Sequence, residues 1–304
     1  MNSHIWWLIL CCLPDVQNRK PEVEICLSKV CIGGLYKRIC LSVDGSDICL
    51  NAKISACVNL PRNQRGIHVS RNVEAIIETI GETRLAGFKK LEEALHNLTR
   101  TLLDKHTYAS MAETSLRTLY MHKYNSFMGT DEVPTILMIR DKLWRDGREE
   151  LTIGVMVKGM TVCPCAQEVY AYMEKLQAQL PHVPSHSQRA LASVSITLHQ
   201  LDNNIDLAKL IDTVINSFSA PVLNYLKRDS EYKLVRKAFE NPKFVEDVAR
   251  NLVFNVYETF VGDLKDDDEI AVKVVSFESI HPYNLYAYSS YSIKELRETL
   301  TKGT

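Results

Sequence analysis

Cys163 and Cys165, separated by a single proline, are the residues of this sequence best placed to do chemistry. They follow an apolar segment typical of a strand and precede a segment typical of a helix. Because the amides and the dipole at the start of a helix lower the pKa of a thiol, this position favours a thiolate. A thiolate there could be a nucleophile, a metal ligand or half of a redox pair. A cysteine that is simply buried at the end of a strand is the alternative.

Two histidines in polar loops are further candidate ligands. His186 lies in the segment Ser185–Arg189, and His281 precedes Pro282, which biases the histidine towards extended backbone geometry. Each histidine taken singly is also typical of a protein surface. The same surface position is expected for five others: His96, His106, His122, His182 and His199.

The segment Gln64–Asn72 joins a predicted strand to a predicted helix and contains two arginines, a histidine and a serine. Arginine side chains and the amides at a helix start commonly bind phosphate, so this segment is a candidate phosphate cradle. The alternative is structural, with Ser70 as the N-cap of the helix and the arginines solvated.

Apolar periodicity predicts the elements that position these residues. In the first half, two strands rich in Ile, Val, Leu and Cys flank a turn at Asp44–Asp47, which predicts a hairpin. A helical region with a break near Gly81–Gly87 comes next, followed by two strands around a charged segment expected to be a loop. The predicted bounds are Ile25–Leu41 and Ile48–Leu60 for the hairpin, Arg71–His106 for the helical region, Tyr108–Tyr124 and Glu150–Met160 for the later strands, and Asp141–Glu149 for the loop.

The second half repeats this order less clearly. An α+β architecture of two halves with antiparallel sheets is therefore expected. A doubly wound nucleotide fold is disfavoured, because neither G-x-G-x-x-G nor G-x-x-x-x-G-K-[ST] occurs. The predicted elements are helices Ala166–Gln179, Ile205–Leu226, Glu231–Phe239 and Pro242–Phe260, and strands Ala190–Gln200 and Ile270–Phe277.

The composition excludes several classes of protein. The chain has 304 residues, 46% of them hydrophobic, with 36 basic and 37 acidic side chains and a formal charge of -1. It is therefore neither collagen-like nor disordered, and no overall field draws it to nucleic acid or to an anionic membrane. No apolar run approaches the ~20 residues that span a bilayer. A soluble, cytoplasmic protein with no nucleic-acid and no membrane partner is expected.

The N-terminal region is unusually rich in cysteine, with seven of the nine cysteines in the first 57 residues. Their irregular spacing does not fit a structural zinc site, so small buried hydrophobes within strands are expected, with intracellular disulfides as the alternative. The apolar run Ile5–Leu13 lacks the basic residues and the cleavage site of a signal peptide. A buried or frayed extension, or a start codon placed too far upstream, is expected instead.

Five motifs, in order along the chain, resemble the type IB GTP cyclohydrolase family. They are RGIHVSR at Arg65–Arg71, GMTVCPCAQE at Gly159–Glu168, HSQR at His186–Arg189, NPKFVED at Asn241–Asp247 and FESIHP at Phe277–Pro282. The resemblance runs from about Pro14 to Tyr288. The sequence around Cys163 resembles that of the archaeal branch more than that of the bacterial branch. The archaeal branch makes 7,8-dihydroneopterin 2',3'-cyclic phosphate, and the bacterial branch makes the triphosphate.

This resemblance implies a tunnelling fold, with two tandem ββααββ-like halves over residues 14–160 and 161–304. Residues 1–13 form an extension outside the family pattern. The resemblance also implies GTP as substrate and a homotetramer whose active sites lie between subunits. Such an enzyme belongs to the biosynthesis of pterins of the tetrahydromethanopterin or folate type.

Site residues follow from the same resemblance. Cys163, Glu231 and His281 correspond to metal-site positions, and His186 lies beside the metal as a ligand or proton donor. Glu246 corresponds to the carboxylate that anchors the purine. The other substrate-binding residues that the resemblance implies are Arg65, His68, Ser70, Arg71, Gln188 and Glu278.

The chemistry implied is the addition of water at C8 of guanine, followed by opening of the imidazole ring and loss of formate. One divalent metal per subunit can supply hydroxide, because the pKa of water on a metal falls to about 7. The family branch suggests Fe(II), with Zn or Mn as alternatives. The same ring opening with release of the triphosphate, a thiol redox protein using Cys163 and Cys165, and a non-catalytic pterin-binding or nucleotide-binding module are the competing hypotheses.

Overall fold

Nine strands of one antiparallel sheet form the framework of residues 14–43, 45–81, 84–127, 129–176, 182–201 and 205–302, the parts that this computed structural model describes. The order across the sheet is β1-β2-β3-β4-β5-β6-β8-β9, and β7 pairs with β5. The strands are β1 Leu27–Val43, β2 Ser46–Leu60, β3 Met111–Ser126, β4 Gly129–Trp144, β5 Glu149–Val162, β6 Ser187–Leu198, β7 Ala220–Pro221, β8 Glu269–Ser276 and β9 Leu285–Ser292.

Helices pack on this sheet and share one continuous core with it. Helix α2 (Gly87–Lys105) contacts β3 and β4, α4 (Leu207–Asn216) contacts β5, and α6 (Val245–Phe260) contacts β8 and β9. Burial alternates along strands such as β6, so successive side chains point to opposite faces of the sheet. The helices of the described ranges are α1 Val69–Thr79, α2 Gly87–Lys105, α3 Pro164–Met173, α4 Leu207–Asn216, α5 Arg228–Glu240, α6 Val245–Phe260 and α7 Ile293–Lys302.

The predicted N-terminal hairpin is confirmed as β1 and β2, and two disulfides cross it. Cys31 bonds to Cys57 and Cys40 to Cys49, and in both pairs the two residues lie directly opposite in the register. Opposite side chains of antiparallel strands lie within disulfide reach. The expectation of unpaired buried hydrophobes is wrong for these four cysteines, and the disulfide alternative is confirmed for them. The free thiols of the described chain are Cys26, Cys163 and Cys165.

Strand β4 was not predicted, and the expected loop at Asp141–Glu149 is wrong at both ends. Its first four residues end β4 and Glu149 begins β5, so the turn occupies only the four residues between them. Asp141 is fully buried, and its Oδ1 lies 3.2 Å from Nδ1 of His96 on α2. A run of charges predicts a loop only when each charge is solvated. Here a partner distant in sequence allows a carboxylate to enter the core.

Two predicted helices are too long. The helix expected over Ile205–Leu226 ends at Asn216. The hydroxyl of Ser217 donates to the carbonyl of Thr213, and Pro221 belongs to β7, which pairs with β5. A proline cannot donate to a helix ladder. The helix expected over Ala166–Gln179 ends at Met173, and the end predicted for it lies outside the described residues. By contrast, the predicted break in the helical region of the first half is confirmed by the separate helices α1 and α2.

The α+β class and the antiparallel pairing are confirmed. The elements β1, β2, α1, α2, β3 and β4 follow a ββααββ order. The expected boundary after Met160 falls within β5, which continues to Val162. The tunnelling fold and the division into two tandem halves stay predictions, and the extension 1–13 lies outside the described residues. In the described ranges, none of the helices has the length and apolar character that crossing a membrane requires.

Candidate functional site

Cys163 lies where β5 ends and α3 begins, as the sequence predicts. It is the N-cap residue of α3, and its Sγ accepts a hydrogen bond from the amide of Ala166 at 3.4 Å. Pro164 occupies the first helical position, where its missing N–H costs nothing. The thiol of Cys163 is half-buried and that of Cys165 is exposed. The strand and the cap therefore hold one sulfur, that of Cys163, at the rim of the sheet.

Gly159 explains how the strand before Cys163 is packed. A Cβ atom at this position would lie 2.1 Å from the ring of Phe218, closer than any real contact. The ring of Phe218 therefore packs directly against the backbone of β5, and β7 pairs with Gly159 and Met160 just beyond it. This contact ties the segment after α4 to the strand that carries Cys163.

The pairing of β5 with β6 brings His186 beside Cys163. The amide of Cys163 donates to the carbonyl of His186 at 3.1 Å, and the hydroxyl of Ser185 donates to the carbonyl of Cys163 at 2.6 Å. Nδ1 of His186 lies 2.9 Å from Oε1 of Gln188. Because an amide oxygen only accepts, Nδ1 must carry the proton. In the neutral ring, Nε2 then holds the lone pair that a metal or a proton in transfer requires.

The loop after β8 joins the same end of the sheet. The amide of Phe277 donates to the carbonyl of Arg189, and the hydroxyl of Ser279 lies 3.3 Å from Nδ1 of His186. Glu278 accepts a hydrogen bond from Ser276 at 2.6 Å. His281 is exposed and stacks on the ring of Tyr283, with ring centroids 4.9 Å apart. Ser279, which the sequence did not single out, is the residue that couples this loop to His186.

Glu246 begins α6, and a neighbouring backbone contact places it near the end of β5. The amide of Lys243 donates to the carbonyl of Val162 at 2.9 Å. The Glu246 carboxylate is exposed and lines a cleft of about 530 Å³ between α6, β9 and α7. The cleft also presents Arg250, Phe254 and Tyr288. A carboxylate beside aromatic rings suits a planar base that carries N–H donors.

Glu231 lies in the first turn of α5 and is exposed. Within the described ranges, no group of three or more His, Cys, Asp and Glu side chains is close enough to hold a metal ion. The structure therefore places Cys163 beside His186 and brings the loop of His281 near them, but it does not assemble Cys163, Glu231 and His281 within one chain. The sulfur and the imidazole nitrogen at this end of the sheet are donors that fit a divalent transition metal.

The segment Arg65–Arg71 lies at the opposite end of the sheet. It follows the end of β2, which pairs with the start of β3. The start of β3 pairs with the end of β4, and the end of β4 pairs with the start of β5, so the segment lies at the end of the sheet where β5 starts. Cys163 follows the other end of β5. A strand of 14 residues at ~3.3 Å per residue separates the two positions by roughly 40 Å. One chain therefore does not bring its candidate phosphate cradle to its own Cys163.

The start of helix α1 differs from the alternative in which Ser70 caps the helix and the arginines are solvated. His68, not Ser70, takes the N-cap position of α1, and no side chain caps the helix. Ser70 and Arg65 are exposed, whereas one guanidinium nitrogen of Arg71 donates to the carbonyl of Lys105 at 3.2 Å. Both carboxylate oxygens of Asp15 lie within 3.4 Å of Nε2 of His68. Within the predicted cradle, His68 thus has a carboxylate beside it, and Arg71 is bonded to the backbone at the end of α2.

The expectation that the remaining histidines lie on the surface is wrong for two of them. His106 is fully buried, and His122 is 3% exposed. Burial and the nearby charges of Arg71 and His68 lower the pKa of His106 to about 4, so it is neutral. Nε2 of His122 lies 2.7 Å from Oδ1 of Asp212. Asn72, which bonds to His106, and Asp212, which bonds to His122, come from distant segments, so local sequence does not reveal these contacts.

Comparison with known proteins bears on this arrangement. The model of a family described as type I GTP cyclohydrolase folE2 matches residues 13–287. The chain belongs to that family. It is 36% identical to a GTP cyclohydrolase MptA of Methanosphaera stadtmanae over 307 aligned positions, covering 94% of this chain and 97% of the relative. A GTP cyclohydrolase MptA of Aeropyrum pernix is 32% identical, over 95% of this chain and 99% of that protein.

Solved structures give a weaker likeness. The urate oxidase of Bacillus sp. TB-90 superposes with a TM-score of 0.46 and 8% identity, over 87% of this chain and 99% of the other. A uricase from Arthrobacter globiformis gives a TM-score of 0.44 and 7% identity, over 88% and 94%. TM-scores this low carry no argument for a shared fold. The membership of the cyclohydrolase family rests on sequence.

Proposed function

We propose that this protein is a metal-dependent, type IB GTP cyclohydrolase that works in the cytoplasm as a homotetramer. It hydrolyses the imidazole ring of guanine, releases formate and forms 7,8-dihydroneopterin 2',3'-cyclic phosphate for pterin biosynthesis. The observation that carries the proposal is the half-buried Cys163 thiol beside His186, whose Nδ1 is held by Gln188. The names of the relatives in Methanosphaera and Aeropyrum support GTP as the substrate.

Cys163, Glu231 and His281 are the residues that would hold the metal, and His186 lies beside it as a further ligand or as the proton donor. Sulfur, imidazole and carboxylate donors fit Fe(II), Zn and Mn, and the family branch favours Fe(II). When bound, such a metal supplies Lewis acidity that generates hydroxide at neutral pH. The role of the protein is to hold the donors: the cap of α3 fixes Cys163, and the pairing of β5 with β6 fixes His186.

His186 is suited to move a proton. Its Nδ1 proton is held by Gln188, which Ser279 also contacts, so the ring cannot turn without losing this hydrogen bond. With Nε2 free of the metal, this atom accepts the proton released when water adds to C8, or returns it to a ring nitrogen of the substrate. Gln188 and Ser279 keep the orientation of the ring constant through both steps.

Glu246 is proposed to select guanine. One carboxylate can accept hydrogen bonds from both N1–H and the 2-amino group, whereas adenine offers no matching donors. The cleft that Glu246 shares with Phe254 and Tyr288 provides apolar surface for the faces of the base. Glu278, on the loop beside His186, accepts a hydrogen bond from Ser276 and is proposed as a further substrate-binding residue.

The triphosphate is proposed to bind Arg65, His68, Ser70 and Arg71 of a neighbouring subunit. These residues and Cys163 lie at opposite ends of one sheet, roughly 40 Å apart by strand length, which exceeds the reach of a nucleoside triphosphate. A complete site therefore requires two copies of the chain. This requirement supports an oligomer with active sites between subunits.

Anaerobic incubation of the purified chain with GTP and Fe(II), with parallel samples containing Zn or Mn, tests the proposal. Formate release and a pterin product in mass analysis are expected only with metal. Phosphorus NMR then decides the product: pyrophosphate with a cyclic diester supports the proposed reaction, whereas an intact triphosphate chain on the pterin supports the alternative ring opening without cyclisation. No GTP turnover with any of the three metals would refute the proposal.

A further inference from the structure

A chain of hydrogen-bonded side chains, buried at Asn72 and His106 and half-buried at Tyr108, runs from β2 to the backbone of His68. Asn72 on α1 is fully buried, and its Nδ2 donates to the carbonyl of Ala56 at 3.1 Å. Nε2 of His106 lies 2.9 Å from Oδ1 of Asn72, and Nδ1 of His106 lies 2.7 Å from the hydroxyl of Tyr108. The amide of His68 donates to that same hydroxyl at 3.3 Å.

The direction of each hydrogen bond in this chain is determined. Because Nδ2 of Asn72 donates to a carbonyl, its Oδ1 is the atom that accepts from His106. Nε2 of His106 therefore carries the proton, and in the neutral ring Nδ1 accepts. The Tyr108 hydroxyl must then donate to His106, which leaves a lone pair on its oxygen for the amide of His68. Every donor has an acceptor, and one arrangement satisfies the whole chain.

The charge state of His106 agrees with this arrangement. The burial of His106, with the charges of Arg71 and His68 nearby, lowers its pKa to about 4. A protonated His106 would donate at both nitrogens and would force the Tyr108 hydroxyl to accept from it. The groups facing His106 are Tyr108, Asn72, Arg71 and His68, and among these no carboxylate is present to stabilise a second proton.

His68 is the residue at which this chain of hydrogen bonds reaches the candidate phosphate cradle. It is the N-cap residue of α1, and the helix starts without a side-chain cap. The conformation of the His68 backbone therefore determines where the first turn of α1, with Ser70 and Arg71, points. The ring of Tyr108 also lies 6.0 Å from the ring of His68, so Tyr108 contacts this residue through both its hydroxyl and its ring.

We propose that Tyr108 and His106 are positioning residues for phosphate binding, which fix the backbone of His68 and thereby the first turn of α1. This inference rests on the proposed function only in taking the ligand to be the triphosphate of GTP. Neither residue touches the ligand, and both act through His68. The hydrogen-bond chain is preformed, so the backbone of His68 and the first turn of α1 are fixed before the phosphate arrives.

Tyr108→Phe removes the hydroxyl and keeps the ring. The KM for GTP is expected to rise about 5- to 10-fold, the equivalent of one neutral hydrogen bond, while kcat changes less than about twofold. Tyr124→Phe is the matched control, because Tyr124 is a tyrosine whose hydroxyl likewise bonds to another side chain, donating to Asn216 at 2.7 Å, away from the cradle. The control is expected to leave the KM unchanged.

Binding of inorganic triphosphate, measured by calorimetry, provides a readout that does not depend on turnover. Tyr108→Phe is expected to weaken it by a similar factor and to speed hydrogen exchange of the His68 amide. His106→Gln keeps one donor and one acceptor and should preserve affinity, whereas His106→Leu should lose it. If the wild type binds inorganic triphosphate but does not turn over GTP, the proposed function fails and this inference survives. Unchanged affinity and KM in a folded Tyr108→Phe chain, or an equal loss in Tyr124→Phe, would overturn the inference.

Discussion

The carboxylate of Asp15 lies against the imidazole of His68, with its two oxygens 3.3 and 3.4 Å from Nε2. The segment that carries Asp15 is held on the cradle by its backbone, since the amides of Arg65 and Gly66 donate to the carbonyl of Gln17. Partial desolvation raises the pKa of Asp15, but hydrogen bonds from the amide of Asn18 and from His68 outweigh it and hold the pKa below its ordinary value. Asp15 is therefore a fixed negative charge at the proposed phosphate site.

Asp15→Asn should strengthen phosphate binding. The substitution removes a charge that repels phosphate and that occupies Nε2 of His68, so the KM for GTP is expected to fall a few-fold. Asp146→Asn is the matched control, because Asp146 is an exposed carboxylate paired with Arg148 in the turn between β4 and β5. Steady-state kinetics at low and high salt measures the KM for GTP of both variants. A higher KM in Asp15→Asn would mean that the carboxylate supports His68 instead of competing with phosphate.

Cys163→Ser should lose metal and activity together, because a serine hydroxyl is a poor ligand for a soft or borderline metal. Cys165→Ser is the control, since its thiol is exposed and two cysteines separated by one residue rarely reach one small site. Metal content of the purified proteins, measured by elemental analysis, separates the two. Wild-type metal content and turnover in Cys163→Ser would remove this residue from the site.

Glu246→Gln should damage GTP use while sparing the metal. The amide presents one donor where guanine requires two acceptors, and sites built on such hydrogen bonds can discriminate by roughly 10⁴-fold. A large fall in kcat/KM for GTP with unchanged metal content is therefore expected. Asp247→Asn, next along α6, controls for helix capping, because the side chain of Asp247 accepts from the amide of Phe244. Wild-type kinetics in Glu246→Gln would exclude the proposed role.

Mixed oligomers should recover activity that each variant alone lacks. Arg65→Ala removes the phosphate end of a site and Cys163→Ser removes the metal end, and these ends belong to different chains in the proposed assembly. Co-refolded or co-expressed chains, each carrying one variant, should form some sites in which both residues are intact. Turnover in mass-verified mixed tetramers checks this expectation. Absence of recovery in such tetramers would place both residues in a site made by one chain.

Glu92 should make the stability of the protein depend on pH. It is 4% exposed on α2, and desolvation raises its pKa from 4.5 to about 7, partly offset by Lys89. Between these values the folded chain binds more protons than the unfolded chain, so the free energy of unfolding falls as the pH rises. The expected loss reaches up to about 3 kcal/mol above pH 7.

Urea denaturation of Glu92→Gln at pH 5 and pH 8 measures this contribution. The variant should lose less stability than the wild type between the two conditions. Glu240→Gln is the control, because Glu240 is an exposed residue on α5 paired with Arg236, away from Glu92, and should keep the wild-type dependence. Since His106 and other groups titrate equally in all three proteins, the difference between them isolates Glu92. An identical pH dependence of stability in Glu92→Gln and in the wild type would contradict the raised pKa of the Glu92 carboxyl.

Local sequence determined several features of this protein correctly. The turn signal at Asp44–Asp47 was sufficient to predict the hairpin of β1 and β2, and the position of Cys163 between an apolar strand and a helix followed from neighbouring residues. The order of the motifs was sufficient to assign the family, which the match over residues 13–287 confirms. Each of these features depends on residues within a few positions of one another, or on the sequences of short motifs.

Tertiary structure alone decided which residues meet. The end of β4 was expected to be a loop because the partner of its buried Asp141, His96, lies on a helix 45 positions away. The disulfide pairs, the coupling of Ser279 to His186 and the chain from Asn72 to His68 depend likewise on register and packing between distant segments. The same register places Arg65–Arg71 and Cys163 at opposite ends of one sheet, although both belong to one family pattern. An antiparallel strand reverses the direction of the chain at each turn, so the end of the sheet at which a motif lies depends on the pairing of all the strands before it.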